Sequence, residues 1–218
     1  SLGPGVTGCR PTATPPASAD DAVPGKVGRN RWRPGSVNGV DLAVARGTSA
    51  QDILTAALGV FGGMKAFIQP GDRVVIKPNL AWSRPPEQAA CTSPEVLAAV
   101  IAACRAAGAG ELIVGEHACD AAAVVFDLSG ARAVCAQAGV ELVDWSSPRL
   151  YREQPLAQGQ TLKTDRIASD LLDCDVYINL PTLKHHSAST VTLALKNQMG
   201  CVHDRRKYHS ERGAAGAN

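Results

Sequence analysis

The residues best equipped for chemistry gather between Lys184 and Arg212, where six Lys or Arg face two acids, a local charge of +4 in a chain of net charge +2. Four of the five histidines, His185, His186, His203 and His209, lie in the same stretch. Lysine and arginine give charge-assisted hydrogen bonds to phosphate or carboxylate. Histidine shuttles protons near neutral pH and ligates transition metals. The chemistry this composition points to is capture of a small anion, with acid–base or metal groups beside it. A solvated basic face is the plainer reading of such a charge run. The admixture of histidine, Asn197 and Gly200 sets the segment apart from a merely solubilising surface.

Three strands must deliver these groups to one place. In open α/β sheets, ligands sit beyond the C-terminal ends of the strands. Val74-Val75-Ile76 is a short apolar strand of the kind buried in parallel sheets, and it leads into Lys77 and Asn79. Leu112-Ile113-Val114 leads into Glu116 and His117, and Val176-Tyr177-Ile178 into Asn179, Thr182, Lys184, His185 and His186. Between the strands run helical patterns. Ser49 to Asp52 caps a helix carrying Ile53, Leu54, Ala57, Leu58 and Phe61 on one side. Thr92 and Glu95 have capping-box spacing, and Ser93 before Pro94 fits the alternative cap, ahead of a stripe of Val96, Leu97, Val100, Ile101 and Cys104 closed by Gly108. Further helices are predicted at residues 131–138, near 165–172 and over 189–199, with strands at 40–44 and 140–143. Strands alternating with helices predict an α/β fold, a mostly parallel sheet with helices on both faces.

Several motifs together resemble a known family. They are Ile76-Lys77-Pro78-Asn79-Leu80, Thr92-Ser93-Pro94-Glu95-Val96, Asp175 to Pro181 followed by Lys184-His185-His186, and Leu195-Lys196-Asn197-Gln198-Met199-Gly200 with His209 downstream. In this order, from about Gly71 to His209, they resemble the domain of unknown function 362 family. That family typically has Lys-x-His, which implies Lys184 and His186 as the counterparts. The resemblance also implies export, sometimes behind a twin-arginine signal, and in some members an added ferredoxin module that binds clusters. Members usually continue well past the Lys-Asn-x-Met-Gly segment, so the resemblance implies a sheet fold incomplete at the C-terminus. The order of strand-end loop, Ser/Thr-Pro helix start and late Lys and His is also similar to the N-terminal domain of nickel-pincer lactate racemase, an analogy of fold that carries no function by itself.

The expectation is a domain binding an anionic small molecule, a phosphorylated cofactor or a carboxylate, at the C-terminal edge of the sheet. Lys77, Lys184 and Lys196 would hold the anion, Asn79, Asn179 and Asn197 would orient it, and His186 and His209 would act as acid–base groups. Glu116 and His117 stand behind them. Lys196 and Asn197 point about 100° apart on a helix, so at most one would face the ligand directly. The α/β domain contains no glycine-rich dinucleotide fingerprint, no P-loop and no nucleophile elbow. A first rival is a metal or iron–sulfur-linked redox protein, in which His186, Cys201 and His203 bind a transition metal and a ferredoxin-like partner supplies electrons. A second is a non-catalytic exported lipoprotein.

Composition bounds the rest. Apolar residues make up 45% of the 218, enough for a core, and aromatics only 4%, which favours helix-on-sheet packing. The small net charge argues against a nucleic-acid partner. No apolar run reaches the roughly 20 residues that cross a bilayer. The seven cysteines form no Cys-x-x-Cys pair, which leaves most of them as small core residues. Val6-Thr7-Gly8-Cys9 resembles a lipobox, with Cys9 the lipidated residue, and the Pro/Ala/Ser/Thr-rich stretch after it reads as a tether. The predicted organisation is thus a leader remnant and flexible tether over residues 1–36, an α/β domain over 37–212 and a disordered tail over 213–218. Localisation would be exported, periplasmic or anchored through Cys9, and otherwise cytoplasmic.

Overall fold

The computed structural model describes residues 6–9, 39–187 and 189–208. In chain order the elements are β1 (Val6–Cys9), β2 (Leu42–Ala45), α1 (Ala50–Gly59), β3 (Arg73–Pro78), α2 (Pro94–Ala107), β4 (Glu111–Glu116), α3 (Ala122–Leu128), α4 (Ala131–Ala138) and β5 (Glu141–Asp144). There follow β6 (Tyr151–Pro155), β7 (Thr164–Ala168), α5 (Ser169–Asp173), β8 (Val176–Leu180), β9 (Lys184–His186), β10 (Thr190–Thr192) and α6 (Ala194–Asn197). The fold is α/β, with a four-stranded sheet in the order β5-β4-β3-β8 whose neighbours all pair in parallel.

Strand β3 is central and reads Val-Val-Ile because it is covered on both faces. Val74 and Ile76 face one side with Leu97, Ile101, Cys104, Val125, Phe126 and Cys135, all contributed by α2, α3 and α4. Val75 faces the other side with Ile113, Trp145, Tyr151, Ala168 and Cys174. Gly115 permits this second layer: a β-carbon there would lie 2.1 Å from the Trp145 ring. Trp145 is fully buried, and its indole N–H donates to Asp170 Oδ2 at 2.9 Å. Burying an aromatic of this size without orphaning its polar handle is what makes it a good core residue.

Of the two caps available to α2, the fold uses Ser93, whose side chain accepts from Val96 N, with Pro94 in the first turn and Gly108 at φ 99° closing the helix. Thr92 is thereby released for another task. Its hydroxyl accepts from Asn79 N at 2.8 Å and donates to Leu180 O at 2.8 Å, tying the C-terminal ends of β3 and β8 together.

Three elements differ from expectation. The helix predicted near 165–172 is strand β7 followed by the single turn α5, because Thr164–Ala168 finds an antiparallel partner in Tyr151–Pro155. The helix predicted over 189–199 begins as strand β10, paired antiparallel with β9, and only then turns into α6. Thr190-Val191-Thr192 is β-branched throughout, which favours a strand wherever a partner is at hand. The strand predicted at 40–44 exists as β2, but it pairs with β1 instead of joining the parallel sheet. Helix α3 had no expectation attached to it.

Val6–Cys9, within the stretch read as a tether, thus pairs as β1. Residues 10–38 and the tail lie outside the described residues, as does His209. Among the described residues no helix is long and apolar enough to cross a membrane. Cys91, Cys104, Cys135, Cys174 and Cys201 are buried free thiols, and Cys119 is an exposed one.

Candidate functional site

The C-terminal ends of β3, β4 and β8 open into a cavity of about 530 Å³. Lys77, Asn79, Glu116, His117, Lys184, His186, Lys196 and Asn197 all line it, so residues read from three strand ends share one site. Asn179 reaches the same network from β8. His209, assigned an acid–base role from sequence, falls outside the described residues.

The floor of the cavity is a closed polar network. Lys77, 1% exposed, donates from Nζ to Glu116 Oε2 at 2.6 Å, Pro78 O at 2.8 Å and Asn197 Oδ1 at 3.0 Å. Three acceptors use all three ammonium protons. Glu116, 2% exposed, also accepts from Leu80 N at 2.9 Å and, on Oε1, from His117 N at 2.9 Å. A buried ion pair survives desolvation only when its remaining hydrogen-bonding capacity is filled in this way. Asn197 completes the floor by donating to Asn179 Oδ1 at 2.7 Å and Lys77 O at 3.2 Å, while accepting from Asn79 Nδ2 at 3.2 Å. The Lys77 ammonium therefore faces protein acceptors, and the expectation that it holds a ligand anion directly meets a group already saturated.

Gly200 shows how closely this floor is fitted. A β-carbon at that position would lie 2.0 Å from Glu116 Oε1 and 2.6 Å from Lys77 Cε. The Lys-Asn-x-Met-Gly segment thus contributes both a hydrogen-bonding amide and a gap, so the turn can lie directly on the ion pair.

The wall is different. Lys184 donates to Asn79 Oδ1 at 2.7 Å and to Ala90 O, yet no carboxylate pairs with it among the described residues. Half-burial disfavours its ammonium and lowers its pKa. Burial likewise lowers the pKa of Lys196, whose Nζ lies 2.9 Å from Met199 Sδ. Asn197 turns into the floor while Lys196 turns to the cavity, the divergence expected of helical neighbours.

Arg205 closes the far side. Its guanidinium donates to His117 O at 3.0 Å, Ala118 O at 3.0 Å and Cys119 Sγ at 3.2 Å, with no carboxylate partner among the described residues. The 3₁₀ turn that carries it is anchored where Lys207 and Tyr208 both reach the buried Asp165. His117 lies against Tyr151, Nδ1 to OH 3.1 Å, and its pKa is lowered by burial and then by Arg205. The lowered pKa favours the neutral imidazole, the form that can accept a proton.

Arg205, Arg206 and Trp82 line the cavity without having been singled out beforehand. The two arginines belonged to the basic stretch counted as a block, and for Trp82 the available signal was a Trp close behind the strand-end Lys77-Pro78-Asn79 in a chain with only three.

His186, Cys201 and His203 do not assemble. His186 faces the cavity, Cys201 is buried against Tyr177 and Gln198, and His203 packs edge-on to the Tyr151 ring. Among the described residues no three His, Cys, Asp or Glu side chains are grouped to hold a metal ion. Burial pushes the Cys201 thiol up to about 11, as befits a core residue.

Comparison with known proteins bears on residues 74–216, which match the model of a domain of unknown function, DUF362. The chain is also 33% identical over 162 residues to a thylakoid-associated protein of Synechocystis sp., an alignment covering 73% of this chain. It spans about half the length of that relative, 49%. No solved structure matches. The family's span takes in Lys77, Glu116, Lys184, Asn197 and Gly200, the whole floor and wall of the cavity, and the chain belongs to the DUF362 family.

Proposed function

We propose that the domain binds a small anionic molecule in the cavity at the C-terminal edge of its sheet. The observation that carries this reading is the division of charge. Lys77 is neutralised by Glu116, whereas Lys184 and Arg205 bring positive charge to the same 530 Å³ space with no carboxylate partner among the described residues. Volume and concavity suit a small ligand. Lys184, Lys196 and Arg205 supply the donors, and Asn79 fixes Lys184. His186 and a neutral His117 border the ligand as acid–base groups, which makes proton transfer the reaction type best supported if the domain is catalytic.

Isothermal titration with pyrophosphate and with succinate at low ionic strength tests the reading. Saturable binding of at least one anion is expected, with affinity falling by about 1.5–3 kcal/mol in Lys184→Ala, the range for a hydrogen bond to a charged group. Binding of neither, or binding indifferent to Lys184, contradicts it. Export and membrane attachment through Cys9 form a separate proposal, supported by the lipobox-like Val6 to Cys9 and by the thylakoid association of the relative. Mass spectrometry of the natively expressed protein decides it: an acylated Cys9 supports the proposal and an unmodified one refutes it.

A further inference from the structure

The cavity's third chemical feature is aromatic. Trp82 lines it and remains 44% exposed, whereas Trp145 is fully buried in the core. An exposed Trp is costly to leave in water, and inside a cavity it is a flat apolar platform. Its segment is held on both sides. Ala81 O accepts from Cys119 N at 2.9 Å and Asp120 N at 3.2 Å, Ser83 N donates to Asp120 Oδ2 at 2.8 Å, and Trp82 O accepts from Cys91 Sγ at 3.3 Å. The platform is therefore fixed by the loop after β4, the same loop on which Arg205 rests. Cys119 links the two directly, bonding Ala81 through its N–H and Arg205 through its sulfur. Met199 and Ala81 add apolar surface to the lining.

Resting on the anion-binding reading, we propose that the ligand is a phosphate ester of a planar ring, of nucleoside-diphosphate size. The ring lies against Trp82, and the phosphates lie between Arg205 and Lys184. Two cations without carboxylate partners among the described residues call for at least two negative charges, which a diphosphate supplies and a simple monocarboxylate does not. Among the described residues no glycine-rich loop lines the cavity to cradle phosphates with backbone N–H groups, so side-chain cations do that work and the binding is salt-sensitive.

Titration of pyrophosphate, adenosine and adenosine diphosphate into the whole chain, its Trp82→Ala and Trp82→Phe variants, and Lys184→Ala separates the parts. The diphosphate nucleoside is expected to bind on the order of tenfold more tightly than pyrophosphate, the gain a stacked ring provides. Trp82→Ala should erase that gain and leave pyrophosphate affinity unchanged, Trp82→Phe should retain most of it, and Lys184→Ala should weaken both anions. Equal affinity of the two anions, or equal weakening of both in Trp82→Ala, overturns the ring assignment while the anion reading stands. Failure of both pyrophosphate and adenosine diphosphate to bind overturns the phosphate-ester assignment, and the anion reading falls with it when succinate fails to bind as well.

Discussion

Two lysines line one cavity and live in opposite electrostatic regimes. Lys77, on the floor, is sealed from water and surrounded by Glu116, Pro78 O and Asn197; Lys184, on the wall, is half-buried and donates to Asn79 and a carbonyl, with no carboxylate partner among the described residues. The contrast teaches that being charged and lining a cavity do not make a residue a ligand group. A charge whose partners are all supplied by the protein shapes the site, and a charge with no carboxylate partner among the described residues is the one we propose receives a ligand.

The strongest way to break that comparison is to disturb the floor. Glu116→Ala leaves the Lys77 ammonium buried without its counter-charge, and also strands Leu80 N and His117 N. Urea denaturation should show a loss of about 3–5 kcal/mol, the cost of removing one partner of a buried pair. A loss below about 1 kcal/mol, the usual value of an exposed pair, would mean the floor is wet and Lys77 available to ligands after all. Gly200→Ala should cost about 1–3 kcal/mol through overpacking against the same pair, measured likewise. A neutral effect would show that the turn is free to move off the ion pair.

Changes at the wall should be quieter in stability and louder in pH. Lys184 has its pKa lowered because burial penalises the ammonium, so below that lowered value it is charged with or without ligand and anion affinity is flat. As pH rises through it, free protein loses the proton that binding must restore. Affinity should then fall with pH, and binding should take up a proton in the window between the lowered value and the ordinary lysine range. Calorimetry in buffers of different ionisation enthalpy reads this directly. In Lys184→Ala that component of the pH dependence should vanish, and its persistence would assign it to another group.

Much of the site was legible because strand ends are marked in sequence. A Val-Val-Ile run followed by Lys-Pro-Asn announces both the strand and what it presents, and the late strand announces Asn179 and Lys184 in the same manner. The pairing of Lys77 with Glu116 was hidden, since neighbouring parallel strands are set by topology and not by sequence distance. The role of Gly200 was hidden for a similar reason: a helix stop and a cradle for an ion pair look alike in one dimension. The β9–β10 hairpin was misread because its strands are three residues long, too short for a period-2 signal to outweigh helix-like spacing.

One thermal-melt series separates a floor that holds the fold from a wall proposed to take the ligand. Wild type, Lys184→Ala and Glu116→Ala are melted with and without pyrophosphate. Lys184→Ala is expected to keep the wild-type melting temperature and lose the pyrophosphate-induced rise, while Glu116→Ala melts well below wild type even without ligand. A Lys184→Ala protein that melts low but is still stabilised normally by pyrophosphate would contradict the claim.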